Sequence, residues 1–125
     1  MGAPVTHVQA QFERVQVEGG MISGTMDPQG GIREFKGIPF AAPPVGDLRW
    51  RAPQPAAHWT TTLKADHYGH DCMQEPFGGD AALRGTMPAE DCLVLNVWRP
   101  AGHHDKLPVI VGSDGGGFVN GGSSP

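Results

Sequence analysis

The residues best suited to chemistry in this chain are glycines. Asp114-Gly115-Gly116-Gly117-Phe118 is followed at once by Asn120-Gly121-Gly122-Ser123-Ser124. Consecutive glycines reach backbone conformations closed to other residues and leave their N–H groups uncovered. Such donors suit an anion. A phosphate cradle of the Walker type needs Gly-Lys-Ser/Thr, and no lysine follows the run. A dinucleotide fingerprint needs glycines at i, i+2 and i+5; counted from Gly115 and Gly117, the third place falls on Asn120. The chemistry left is an oxyanion hole, in which amides face the charge that develops on a carbonyl oxygen during acyl transfer. A flexible glycine linker fits the same run when it is taken alone.

Other reactive side chains are sparse. Cys72 and Cys92 are the two cysteines, and neither sits in a CxxC pair. A disulfide between them would close a loop of about 20 residues, add about 3 kcal/mol on the chain-entropy model, and imply an oxidising compartment. Two buried free thiols are the alternative, and the spacing leaves both open. His67 and His70 near Cys72 form a faint metal-like cluster, while His103-His104 stand in a polar stretch. Without a zinc motif, solvated histidines are the favoured reading and no metal is expected.

The elements that must position the glycines are short. Glycine and proline number 19 and 12 of 125 residues, and the hydrophobic fraction is 38%. That combination predicts many turns and short strands, not disorder. A hairpin is expected where Val15 and Val17 meet Met21-Ile22 through Glu18-Gly19-Gly20. A second turn at Asp27–Gly31 leads into Ile32–Lys36, giving a small antiparallel meander. Gly37–Gly46 is proline-rich and reads as an extended surface path pinned by Phe40 and Trp50. One helical turn is expected near Asp80–Arg84. Cys92–Trp98 is the best strand, apolar on both faces as in a covered sheet. Leu107–Val111 reads as a strand feeding the glycine loop.

The net charge is −4, with no basic stripe for nucleic acid. No apolar run approaches the roughly 20 residues that span a bilayer, so no membrane partner is expected. Met1–Gln11 lacks the layout of a signal peptide.

Several blocks together resemble the type-B carboxylesterases, the cholinesterase-like branch of the α/β-hydrolases. They are Phe35-Lys36-Gly37-Ile38-Pro39-Phe40-Ala41, Pro43-Pro44-Val45-Gly46-Asp47-Leu48-Arg49-Trp50, Cys72-Met73-Gln74, Glu90-Asp91-Cys92-Leu93, Leu95-Asn96-Val97-Trp98, Leu107-Pro108-Val109 and the glycine loop, in the family's order. The resemblance implies an α/β fold in which residues 1–125 are the N-terminal fragment of one α/β-hydrolase domain, mostly short strands and loops, behind a flexible leader at 1–12. It implies serine ester hydrolysis through an acyl-enzyme, with Gly116 and Gly117 as two oxyanion-hole amides. Cys72 and Cys92 match the family's first disulfide, and Arg49 and Glu90 match a structural, partly buried ion pair. The disulfide would place the protein outside the cytoplasm, secreted or periplasmic. No cofactor is implied. The partners implied are a small-molecule carboxylic ester and the remaining part of the same domain. No Trp stands between Cys72 and Cys92, where cholinesterases carry a choline-binding aromatic, so a general ester is preferred to a choline ester.

Two departures qualify this. Gly112-Ser113-Asp114 stands where the family usually has Trp-Ile/Leu-His. A compensated frameshift or a base-calling error would account for it: TGG ATC CAC, with the first T lost and a G inserted before the final AC, reads Gly-Ser-Asp. No GxSxG pattern occurs in the chain, so the nucleophile, acid and histidine are all absent from it, and the 125 residues alone are expected to be inactive. The rival readings are a non-catalytic adhesion or interaction homologue, and a truncated inactive product.

Overall fold

The computed structural model describes residues 13–75, 87–102, 106–117 and 121–123. The helical turn expected at Asp80–Arg84, His103-His104 and the leader at 1–12 lie outside these residues. Strand β1 (Arg14–Val17) pairs antiparallel with β2 (Gly20–Ser23), and Val17 faces Gly20 across the expected glycine turn. Strand β3 (Thr25–Met26) pairs antiparallel with β4 (Ile32–Pro39) around the second turn. Asp27 builds that turn: its carboxylate accepts from the Ile32 amide at 2.6 Å and its backbone carbonyl from Gly30 at 2.9 Å. Aspartate is favoured there because its short side chain satisfies local amides.

The meander does not stay in one sheet. The chain folds into two three-stranded sheets, β1-β2-β5 and β3-β4-β6, with β5 at Leu63–Lys64 and β6 at Val94–Pro100. The change of sheet occurs at buried Gly24, where a Cβ would collide with the Glu34 carbonyl and the Phe35 ring.

The proline-rich stretch was expected to start as a surface path at Gly37. Instead Gly37, Ile38 and Pro39 complete β4, the central strand of its sheet. A bulge makes this possible. Phe35 faces Val97 and Ile38 faces Leu95, so β4 carries one extra residue opposite Asn96. Gly37 absorbs the kink at φ 69°, and a Cβ there would approach the His67 carbonyl at 2.8 Å. The amides freed from the ladder find other partners. Lys36 N donates to the Ala65 carbonyl at 3.0 Å, and Ala65 N donates to Ser23 O at 2.8 Å, which links the two sheets.

The anchors differ too. Trp50 is fully exposed and Phe40 is about half exposed, so neither pins the path. It is held through backbone contacts instead, Ala42 N to Gln54 O at 2.8 Å and a 3-10 turn at Gly46–Leu48. The core is small: Ile22, Phe35, Ile38 and Ala65, flanked by Val15, Val17, Trp59 and Leu63.

Strand β6 starts two residues later than expected and runs on to Pro100. Its apolar faces are not covered: Leu95, Val97 and Trp98 are all at least 40% exposed. Leu107–Val111 forms no strand, and Val109, Ile110 and Val111 lie open to solvent. A strand needs a partner for its ladder, and no described residue pairs with this run. No helix among the described residues is long and apolar enough to cross a membrane.

Candidate active-site loop

Gly116 and Gly117 adopt φ of 95° and 61°, the left-handed region that glycine enters without steric cost. Both are exposed, and their amides donate to no other described residue. The loop then returns. A Cβ on Gly121, at φ 152°, would collide with the Asp114 carboxylate, so the two glycine runs lie against each other.

Two side chains that sequence reasoning did not single out hold the returning arm. Gln74 pairs with Gly121 in both directions: Gly121 N donates to Oε1 at 2.7 Å, and Nε2 donates to the Gly121 carbonyl at 2.8 Å. Asn96 sits on β6 opposite the bulge. Its Oδ1 accepts the freed Gly37 amide at 2.9 Å, while its Nδ2 faces Ser123 O at 3.3 Å and Ser123 Oγ at 3.2 Å. A Cβ on Gly122 would collide with the carboxylate of buried Asp71, so the middle residue of this arm is also closely packed. Both amide residues lie inside recognisable blocks, Cys72-Met73-Gln74 and Leu95-Asn96-Val97. The signal available was their polarity, at the end of a cysteine block and inside an apolar strand. Their partners stand 47 and 27 residues away, which local pattern does not reveal.

Cys72 and Cys92 form a disulfide. It closes the segment that carries Gln74, and a single bridge pairs Cys72 with Ala89 in the same segment. Arg49 meets Glu90 side-on, Nε to Oε1 at 2.5 Å and Nη2 to Oε2 at 2.6 Å. The pair was expected to be partly buried. Both side chains are in fact more than a third exposed, because nothing among the described residues covers that rim. The hydrogen bonds from Arg49 hold the Glu90 carboxyl below its ordinary range, and those same bonds raise Arg49.

His67, His70 and Cys72 each have partners of their own. Cys72 has no thiolate to offer, His67 bonds Asp66 at 2.6 Å, and His70 bonds the Met87 carbonyl at 2.8 Å. The bond to His67 lowers the Asp66 carboxyl. Among the described residues no group of three or more His, Cys, Asp or Glu could hold a metal ion. An apolar groove of about 460 Å³ lies elsewhere, between the two sheets and beside Trp59, Leu95 and Val97; no residue of the glycine loop lines it.

The strand set, the bulged β4–β6 pair and the glycine loop together define the N-terminal part of an α/β-hydrolase fold. A PNB esterase structure superposes with a TM-score of 0.61 at 36% identity, over 71% of this chain and 17% of that one. A thermophilic PNB esterase superposes at 0.63 with 35% identity, over 71% and 18%. Residues 11–125 match the carboxylesterase family, and the chain belongs to it. It is 41% identical over 121 residues to a probable cholinesterase of Acanthamoeba polyphaga mimivirus, covering 89% of this chain and 20% of that protein. It is 40% identical over 126 residues to a fumonisin B1 esterase of Sphingopyxis macrogoltabida, covering 97% and 23%. The chain therefore spans about a fifth of the length of these relatives.

Proposed function

We propose that the protein built on this chain hydrolyses small carboxylic esters by a serine acyl-enzyme mechanism, with this segment supplying the oxyanion loop and not the triad. The observation that carries the reading is the pair of left-handed glycines, Gly116 and Gly117, whose amides bond no other described residue. As a serine attacks an ester carbonyl, negative charge gathers on the carbonyl oxygen. Donors already fixed in place stabilise that charge without reorganising, and removal of one such donor typically slows turnover about a hundredfold or more. A third donor and the nucleophile, acid and histidine would come from residues outside 1–125, the remaining part of one domain. No cofactor is needed for this chemistry. The disulfide supports an oxidising, extracytoplasmic setting.

The test is turnover of p-nitrophenyl acetate by the intact protein, paired with covalent labelling by a fluorophosphonate. Expected are burst kinetics, stoichiometric labelling and a large kcat loss in Gly117→Ala, whose φ of 61° a Cβ makes strained. A second reading has its own observation behind it. Asp114 puts a carboxylate at the entrance of the glycine loop, which suits a scaffold homologue used for adhesion or interaction, or a defective gene product. An intact protein that neither turns over esters nor takes the label supports that reading instead.

A further inference from the structure

We propose that Gln74 is a positioning residue for the oxyanion loop, a role that rests on the ester-hydrolase reading above. Among the described residues, its carboxamide is the side chain that both donates to and accepts from the backbone of Gly121. Gly121 in turn lies against Asp114 and the Gly115 carbonyl, at the base of the turn that carries Gly116 and Gly117. The other contacts to that arm among the described residues are of a different kind: Asn96 reaches Ser123 through bonds of 3.2 and 3.3 Å, and Asp71 packs against Gly122.

Gln74 is itself anchored. Its Nε2 also donates to the Cys72 carbonyl at 3.1 Å, and Cys72 is cross-linked to Cys92, two residues before β6. A continuous path therefore runs from the sheet, through the disulfide and one carboxamide, to the returning arm of the glycine loop. A loop of glycines has no side chains with which to fix itself, and its amides must point at one spot before the charge arrives. A displacement of about 1 Å in such donors can cost on the order of a hundredfold in rate. Half-buried Gln74 supplies the missing side chain from outside the loop. It touches no reacting atom, so it acts only by holding Gly121.

Gln74→Leu removes all three hydrogen bonds at similar size. In the intact protein it is expected to lower kcat by about tenfold to a hundredfold with KM within about twofold. Hydrogen exchange should accelerate in the peptide covering 115–123 and stay unchanged over 14–26. Gln74→Glu supplies the readout that a merely structural residue would not move. A protonated Glu presents one acceptor and one O–H donor, as the carboxamide does, whereas an ionised Glu sets a negative oxygen against the Gly121 carbonyl. The ratio of Gln74→Glu to wild-type kcat is therefore expected to climb as pH falls from 7 to 5. An active protein in which Gln74→Leu keeps both wild-type kcat and wild-type exchange overturns the role alone, as does a Gln74→Glu ratio that stays flat with pH. A wild-type protein without turnover or labelling overturns the ester-hydrolase reading, and this role with it.

Discussion

Arg49 and Glu90, 41 residues apart, meet through two parallel hydrogen bonds of 2.5 and 2.6 Å. This side-on geometry is the strongest that a guanidinium and a carboxylate form. It fastens the proline-rich path to the segment that leads into the disulfide. Both side chains are nonetheless exposed, so water and salt compete for them.

The pair makes stability depend on pH in one direction. Hydrogen bonding to Arg49 depresses the folded-state Glu90 carboxyl, so its contribution is complete above the unfolded carboxylate range, near pH 4.3, and is lost as pH falls through the lower folded value. Arg49 is raised from an already high value, and its contribution would be lost only in strong alkali. Glu90→Gln is expected to lower the urea midpoint slightly at pH 7, with the difference shrinking as pH falls below the ordinary carboxylate range and again in 1 M salt. A loss that does not change with pH would show that the pair contributes through packing and not through charge.

The two hairpin turns and the glycine loop were legible because their physics is local. Glycine, proline and aspartate at turn positions state their conformations directly. The split into two sheets was not legible, because it depends on the collision at Gly24 and on Ala65 bridging Lys36 to Ser23. Trp50 misled for a related reason. An aromatic after a proline run suggests an anchor, yet what it would pack against is not among the described residues. The apolar faces of β6 and the run at 107–111 show the same thing: their composition predicts a covered sheet that these residues do not complete. At the candidate site, Gly116 and Gly117 were visible by type, whereas Gln74 and Asn96 required knowledge of which backbone lies beside them.

The disulfide lends itself to a direct measurement. Cys72 and Cys92 enclose a loop of about 20 residues, and cross-linking such a loop restricts the unfolded chain by about 3 kcal/mol on the entropy model. Reduction, or the double replacement Cys72→Ser with Cys92→Ser, is expected to lower unfolding free energy by roughly that amount, read from denaturant titrations with and without reductant. Hydrogen exchange in 121–123 should rise in the same samples, because Gln74 loses its anchor. A rise elsewhere with none at 121–123 would separate the disulfide from the loop.

Gly20 tests the packing between the first hairpin and Trp59. A Cβ there would lie 2.6 Å from both the indole nitrogen and the Trp59 backbone carbonyl, and φ is 146°. The indole also donates to the Met21 carbonyl at 2.8 Å, so it cannot turn away without losing that bond. Gly20→Ala is expected to destabilise by about 1–3 kcal/mol through overpacking, with a change in tryptophan emission. A neutral result would mean that the hairpin shifts freely, and that Trp59 does not fix the relation of β1 and β2 to the rest of the fold.

Asp114 gives a way to measure how wet the glycine loop is during turnover. If its carboxylate stands about 6 Å from the developing oxyanion, repulsion is about 0.7 kcal/mol in a water-like medium and roughly 3 kcal/mol at an effective dielectric of 20. Those values correspond to about threefold and about a hundredfold in rate. In the described chain Asp114 is exposed, which favours the smaller figure, while closure by the remainder of the domain would move it toward the larger. Asp114→Asn keeps the size and removes the charge. The intact protein is therefore expected to gain kcat/KM by a factor between these limits, and the factor itself reports the dielectric around the loop. Asp114→His, which restores the residue the family usually carries there, should gain at least as much. The carboxylate also packs against Gly121, so its replacement has a second route to the rate, through the arm that Gln74 holds. Hydrogen exchange at 121–123 distinguishes the two effects: a rate gain with unchanged exchange is electrostatic. A rate loss with faster exchange would mean that Asp114 serves the loop as a brace, and that its negative charge is tolerated because the oxyanion forms farther away than 6 Å.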